Sequence, residues 1–197
     1  MATEVEKQII EAAKRVFLAN GYNETNMAMI AQEAGMARPA IYYYYRGKDR
    51  IFDAVFDDIV RDFFPSVMDI LKKESPLHER MTELVDAYVE QLKQNPQLPL
   101  FLVKELNRDP GLIIRQAFDN PSFNFPEQVL QWYHAAVARG ELKEVPLFSI
   151  PFTALGLILT PFLARPAIDS LMEGHFDEML ESWKPFVVTH LETLLKP

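Results

Sequence analysis

Apolar residues recur at helical spacing through nearly every stretch of this chain, and a glycine or a proline stops most of the runs. Val5, Ile9, Ala13, Val16 and Phe17 set out a first helix, with Gly21 where a helix ends on a left-handed residue. Met27, Ile30, Ala31 and Ala34 mark a short second helix, capped by Thr25 or Asn26 and closed by Gly35. A third begins near Arg38, with Pro39 in the first turn, where a missing N–H costs nothing. A fourth starts around Lys48 and carries Ile51, Phe52, Val55, Ile59 and Phe63, and Pro65 is expected to end or bend it.

Prolines delimit the remainder. Ser75-Pro76 opens a helix through Leu77, Met81, Leu84, Val85, Tyr88 and Leu92, which Asn95-Pro96 ends. Shorter apolar segments follow at Leu100–Leu106 and Leu112–Phe118. Another helix runs from Pro126 to Val137 ahead of Gly140, and a last one from about Phe176 to Leu195 has Pro185 as a bend. No segment alternates apolar and polar residues between hairpin turns, so the expected fold class is all-α.

Charge divides the chain. Residues 1–50 hold seven Lys/Arg against six Asp/Glu, and residues 51–197 hold thirteen against twenty-two. A domain boundary near residue 50 is expected from that contrast, giving domains at 1–50 and 51–197. A net charge of −8 argues against indiscriminate coating of nucleic acid, which needs clustered cations. The absence of cysteine rules out disulfides and thiolate metal sites and fits a cytoplasmic setting. The N-terminus alternates charged with apolar residues and does not read as a signal peptide.

Two short helices joined by a tight turn at Gly35, the second with a basic start, fit the helix-turn-helix description. In that motif the N-terminal residues of the second helix meet base edges in the major groove. The run Tyr42-Tyr43-Tyr44-Tyr45 cannot share one face, because a helix turns about 100° per residue. With Ile41 turned inward, Arg38, Pro39, Tyr42 and Tyr43 form an outward face, and Tyr45 is expected to pack with Ile41. Arg38 can donate bidentately to guanine and Pro39 can touch a thymine methyl. The Tyr42 and Tyr43 hydroxyls can reach phosphate, and Lys48 adds charge at a helix start.

The stretch EKQIIEAAKRVFLANGYNETNMAMIAQEAGMARPAIYYYYRGKDRIFDAVF closely resembles the N-terminal domain of the tetracycline-repressor-like (TetR) family of bacterial transcription regulators. The landmarks are Phe17, Gly21-Tyr22, Thr25, Ile30-Ala31, Ala34-Gly35, Ile41-Tyr42-Tyr43 and Lys48. The resemblance implies an all-helical homodimer with a three-helix DNA-binding head and a C-terminal domain that binds a small molecule and dimerises. It also implies operator contacts from Thr25, Asn26, Arg38, Pro39, Ala40, Tyr42, Tyr43, Tyr44 and Lys48. At Tyr44, where relatives often carry histidine, it implies a phosphate contact, whereas the helical wheel turns that ring inward. Ala28 and Met29 occupy positions that are often polar in relatives, which shifts base reading toward Arg38 and Pro39.

Beyond residue 60 the likeness rests on helix count, length and acidity. Tyr88, Phe101, Phe118, Phe125, Trp132 and Tyr133 offer aromatic surface for an apolar effector pocket, with Glu105, Arg115 and His134 as polar anchors. The uncharged segment from Val145 to Ala164 is long enough to span a bilayer, yet three prolines interrupt it and no basic cluster flanks it. It is expected instead to join the last helix in a four-helix dimer interface through Leu155, Leu159, Trp183, Val187, Leu191 and Leu194. The expected function is that of a ligand-responsive regulator, most simply a repressor released from a palindromic operator by a small apolar or aromatic effector. The alternative is a DNA-bound adaptor on the same scaffold. Histidines 78, 134, 175 and 190 show no metal-binding spacing, and there is no phosphate loop or nucleophile elbow, so no enzyme activity and no cofactor are expected.

Overall fold

A computed structural model describes residues 3–63, 65–112, 125–146 and 148–197, with backbone only at 60–63, 65, 66 and 125. Among the described residues every regular element is a helix. These are α1 (Glu4–Glu24), α2 (Met27–Glu33), α3 (Arg38–Tyr44), α4 (Lys48–Phe63), α5 (Pro65–Leu71), α6 (Leu77–Gln94), α7 (Leu98–Arg108), α8 (Phe125–Ala138), α9 (Ser149–Leu163), α10 (Arg165–Leu171) and α11 (Phe176–Leu195). The chain divides into two compact units, Met1–Phe64 with Leu100–Asn124, and Pro65–Pro99 with Phe125–Pro197. That partition differs from the charge boundary near residue 50, because packing recruits α4 and most of α7 to the first unit.

In the first unit α1 packs on α2 and α4, and α2 packs on α3. Thr3 and Glu6 form a reciprocal capping box at the start of α1, which satisfies N–H groups that the helix leaves free. The helix is interrupted at Gly21 (φ 76°, ψ 174°), a conformation that a Cβ would strain. Phe17, Tyr22 and Phe52 meet edge to face or stacked, and Phe101 of α7 lies 6.2 Å from Phe52. This aromatic cluster, with buried Ile9, Ala13, Ile30, Ile41 and Val55, is the core on which the short helices α2 and α3 rest. Helices of seven residues are marginal alone, so their stability comes from that packing.

In the second unit α6, α9 and α11 form the main layer, with α5 against α6 and α8. Leu180, Val187, Val188, Leu191 and Leu195 form the inner face of α11. Val187 and Leu191, expected at a subunit interface, are instead core residues of the second unit, each 1% exposed. Lys93 and Lys184 cross from α6 and α11 to Asp177, Glu181 and Asp86, tying the two helices along their polar edge. Pro161 and Pro185 lie inside α9 and α11. Among the described residues no single helix is long and apolar enough to cross a membrane. The bent pair α9 and α10 meets the length and composition together, at an angle of 57°.

Candidate nucleic-acid interface

The site begins where α1 gives way to α2. Asn26 is the N-cap of α2, its side-chain oxygen accepting from the N–H groups of Ala28 and Met29 at 3.0 and 3.1 Å. Its NH2 donors are what remains for another partner. Thr25, expected at the operator, is 1% exposed and donates its hydroxyl to the Gly21 carbonyl at 2.7 Å. The two residues were equivalent cap candidates by type. Geometry separates them, because Thr25 completes the turn and Asn26 faces outward.

After Gly35, in the left-handed region at φ 64°, α3 starts with Arg38-Pro39. Ile41 is fully buried, and Arg38, Pro39, Tyr42 and Tyr43 are exposed, as the helical wheel expects; Ala40 is exposed as well. Tyr43 is 83% exposed and Tyr42 40%. Arg38 donates to the Tyr42 hydroxyl at 3.3 Å, and its guanidinium lies 5.5 Å from that ring's centre. Tyr44 is half-buried and meets the Tyr43 ring edge to face at 5.3 Å, neither fully inward nor free. Tyr45 has left the helix (φ −129°, ψ 114°) and is half-buried. Burial, reinforced by Glu6 and Asp58, pushes its phenol pKa above the ordinary range.

Lys48, expected at a phosphate, is turned back onto the end of α1. Its ammonium donates to the Tyr22 carbonyl at 2.9 Å and lies 4.2 Å from the centre of the Tyr22 ring. The reason is the negative end of α1, whose last carbonyls attract a cation. Arg46 and Arg50 on either side are exposed. Tyr22 also donates its hydroxyl to Asp49, and that bond together with burial raises its pKa to about 12.

The expected effector residues are more scattered. Glu105 and Phe101 lie in the first unit, where Glu105 is buried and accepts from the Tyr22 N–H at 2.9 Å and from Arg108 at 2.5 Å. Neither Arg108 nor Tyr22 is expected at a site from the sequence, although Gly21-Tyr22 is a landmark of the resemblance. In the second unit Tyr88 is half-buried with its pKa raised by burial, and Trp132 lies under the Arg80 guanidinium at 5.9 Å. Tyr133 and His134 line a surface cleft of about 460 Å3 with Glu144, Val145 and Pro146. The Tyr133 hydroxyl is committed there, accepting from the Val145 N–H at 2.8 Å. Arg115, Phe118 and the side chain of Phe125 lie outside the described residues.

A different apolar surface stands open on α9 and α11. Phe148, Phe152, Leu155, Leu163 and Phe186 are exposed, and Leu159, Trp183 and Leu194 are half-buried. Trp183 donates its indole N–H to the Leu157 carbonyl at 2.9 Å and stacks on Phe186, which in turn meets His190.

Residues 9–55 match the profile described as bacterial regulatory proteins, tetR family. The chain is 26% identical over 137 residues to the fatty acid metabolism regulator protein of Bacillus subtilis (strain 168), covering 70% of each chain. It is 29% identical over 145 residues to the HTH-type transcriptional regulator SrpR of Pseudomonas putida, covering 72% of this chain and 65% of the relative. Among solved structures, a putative tetR family transcription regulator from Shewanella sp. PV-4 superposes with a TM-score of 0.72 at 15% identity over 98% of both chains, a likeness of fold.

Proposed function

We propose a function for this chain from the premise that it belongs to the tetracycline-repressor-like (TetR) family of bacterial regulatory proteins, a helix-turn-helix transcriptional regulator: it is a cytoplasmic repressor released from a palindromic operator by a small apolar effector. The observation that carries the DNA-reading half is the exposure of Arg38, Pro39, Tyr42 and Tyr43 on one face of α3, with Ala40 exposed beside it, behind a capped α2. On this reading Arg38 and Pro39 read bases, and Asn26, Tyr42, Tyr43 and Tyr44 hold sugar and phosphate. Thr25 and Lys48 brace the head from inside rather than touching DNA.

The working form is a homodimer, since a palindrome requires two heads related by a two-fold axis. The exposed residues Phe152, Leu155 and Phe186, with half-buried Leu159, Trp183 and Leu194, are the surface we assign to the second copy. Residues 51–197 hold the effector, whose binding shifts α4 and changes the spacing of the heads. Such a shift requires unequal affinity of the effector for the two states. The similarity to a regulator of fatty acid metabolism supports long-chain acyl compounds as the first effectors to try.

Selection of bound duplexes from a random pool tests the reading directly. An inverted repeat should be enriched, and acyl compounds should then lower affinity for it. A pool with no enriched sequence would overturn the DNA-binding half, and an operator affinity that no effector changes would favour the adaptor reading.

A further inference from the structure

Glu105 is a buried carboxylate that neither base reading nor phosphate contact uses. It is 2% exposed, and both of its oxygens are occupied. Oε1 accepts from the Tyr22 N–H at 2.9 Å and Oε2 from the Arg108 Nε–H at 2.5 Å. The Arg108 guanidinium lies 4.0 Å from the centre of the Tyr22 ring and 5.2 Å from that of Phe52. A Cβ on Gly21 would sit 3.5 Å from Glu105 Oε1, so the carboxylate lies directly against the kink in α1.

That kink is the point from which the DNA-reading helices are launched. Its polar groups are held from several directions. The Gly21 carbonyl accepts from the Thr25 hydroxyl, and the Tyr22 carbonyl accepts from Lys48 and from the Thr25 N–H. The Tyr22 N–H is held by Glu105, 83 positions away in sequence. Asn26 follows at once and caps α2, which packs on the α3 that carries Arg38.

We infer that Glu105 is a positioning residue for operator binding: paired with Arg108, it fixes the Gly21-Tyr22 kink and so sets where α2 and α3 present their exposed face. The inference rests on the reading of that face as the DNA-binding surface. A carboxylate suits the place because it only accepts hydrogen bonds and meets two donors. A glutamine of the same shape would turn its NH2 toward either the Tyr22 N–H or the Arg108 Nε–H. One of these two part-buried donors would then lose its acceptor.

The test compares the full-length protein with Glu105→Gln, Arg38→Ala and the double variant Glu105→Gln/Arg108→Met, using the selected operator and a scrambled duplex of equal length. Circular dichroism below the melting transition confirms that each variant is folded. Glu105→Gln should weaken operator binding roughly tenfold, the scale of one part-buried donor left unpaired. Scrambled-duplex affinity should stay within about twofold, because phosphate attraction does not need the aligned face. The double variant removes the opposing donor, so it should recover most of the lost operator preference, a rescue that simple loss of stability would not give.

Amide exchange in the unaltered protein adds a measurement independent of any variant, and the Tyr22 N–H should exchange slowly. Exchange at the rate of an unstructured peptide would overturn the inference. So would a Glu105→Gln protein that keeps the normal operator preference while Arg38→Ala loses it, and that result would leave the DNA-binding reading intact. If the unaltered protein does not distinguish operator from scrambled DNA, the DNA-binding reading fails and the inference fails with it.

Discussion

Arg38 donates to the Tyr42 hydroxyl across one turn of α3, at 3.3 Å, and both side chains are exposed. The arginine and the phenol therefore orient each other on the outer face of the helix. The bond is long for its type and solvent-exposed, so it organises the pair without locking it. On the proposed reading an incoming base edge replaces it.

Arg38→Ala should cost about 1 to 3 kcal/mol of specific binding and relax the preference at one base pair in each half-site. Titrations against operators substituted one position at a time would detect this. Equal weakening on every sequence would show that Arg38 meets only phosphate.

Tyr42→Phe removes the Arg38 partner and, on the proposed reading, a phosphate donor while keeping the ring. Affinity should fall by a similar factor on all operators, with base preferences unchanged. A loss concentrated at one base pair would place the hydroxyl in the groove instead.

Asn26→Ala leaves the Ala28 and Met29 N–H groups without their cap and should destabilise the fold by about 1 kcal/mol, with Asn26→Ser close to the parent. Urea unfolding followed by helical ellipticity reads this. An unchanged midpoint would mean that water serves the cap equally well.

The α6–α11 ion network predicts losses at both ends of the pH scale. Hydrogen bonds from Lys184 and then Lys93 hold the Glu181 carboxyl below its usual pKa. Its contribution is thus full above the ordinary carboxylate range and lost as pH falls through the lowered folded value. Lys184 is shifted upward, by Glu181 and then Asp86. Its contribution is full below the ordinary lysine value and lost as pH rises through the raised one. Melting temperatures across pH should fall less steeply at both extremes in Lys184→Met than in the parent. Parallel curves would show that the network adds nothing.

Two substitutions separate core from the proposed interface. Leu191→Ala should destabilise the protomer by about 2 to 5 kcal/mol. Phe152→Glu, at a side chain 72% exposed, should leave folding intact and yield monomers in sedimentation. A Phe152→Glu protein that stays dimeric would move the subunit contact elsewhere.

The sequence by itself determined what depends on local chain geometry. Helical periodicity and the positions of glycine and proline marked out most of the helices, though not the short α5 and α10, and the wheel around Ile41 separated the buried residue from exposed Tyr42 and Tyr43. The wheel did not extend to Tyr45, because α3 stops at Tyr44 and the next residue is extended. Tertiary structure decided which of two apolar stripes faces inward. On α11, Val187 and Leu191 lie on one stripe and Trp183, Phe186 and His190 on another, and only packing against α6 and α9 buries the first. It also chose Asn26 over Thr25 as the cap, turned Lys48 onto Tyr22, and brought Glu105 to a backbone N–H far away in sequence. Periodicity fixes which residues share a face. Which neighbour that face meets is a matter of contacts between distant segments, and these form only when the whole chain packs.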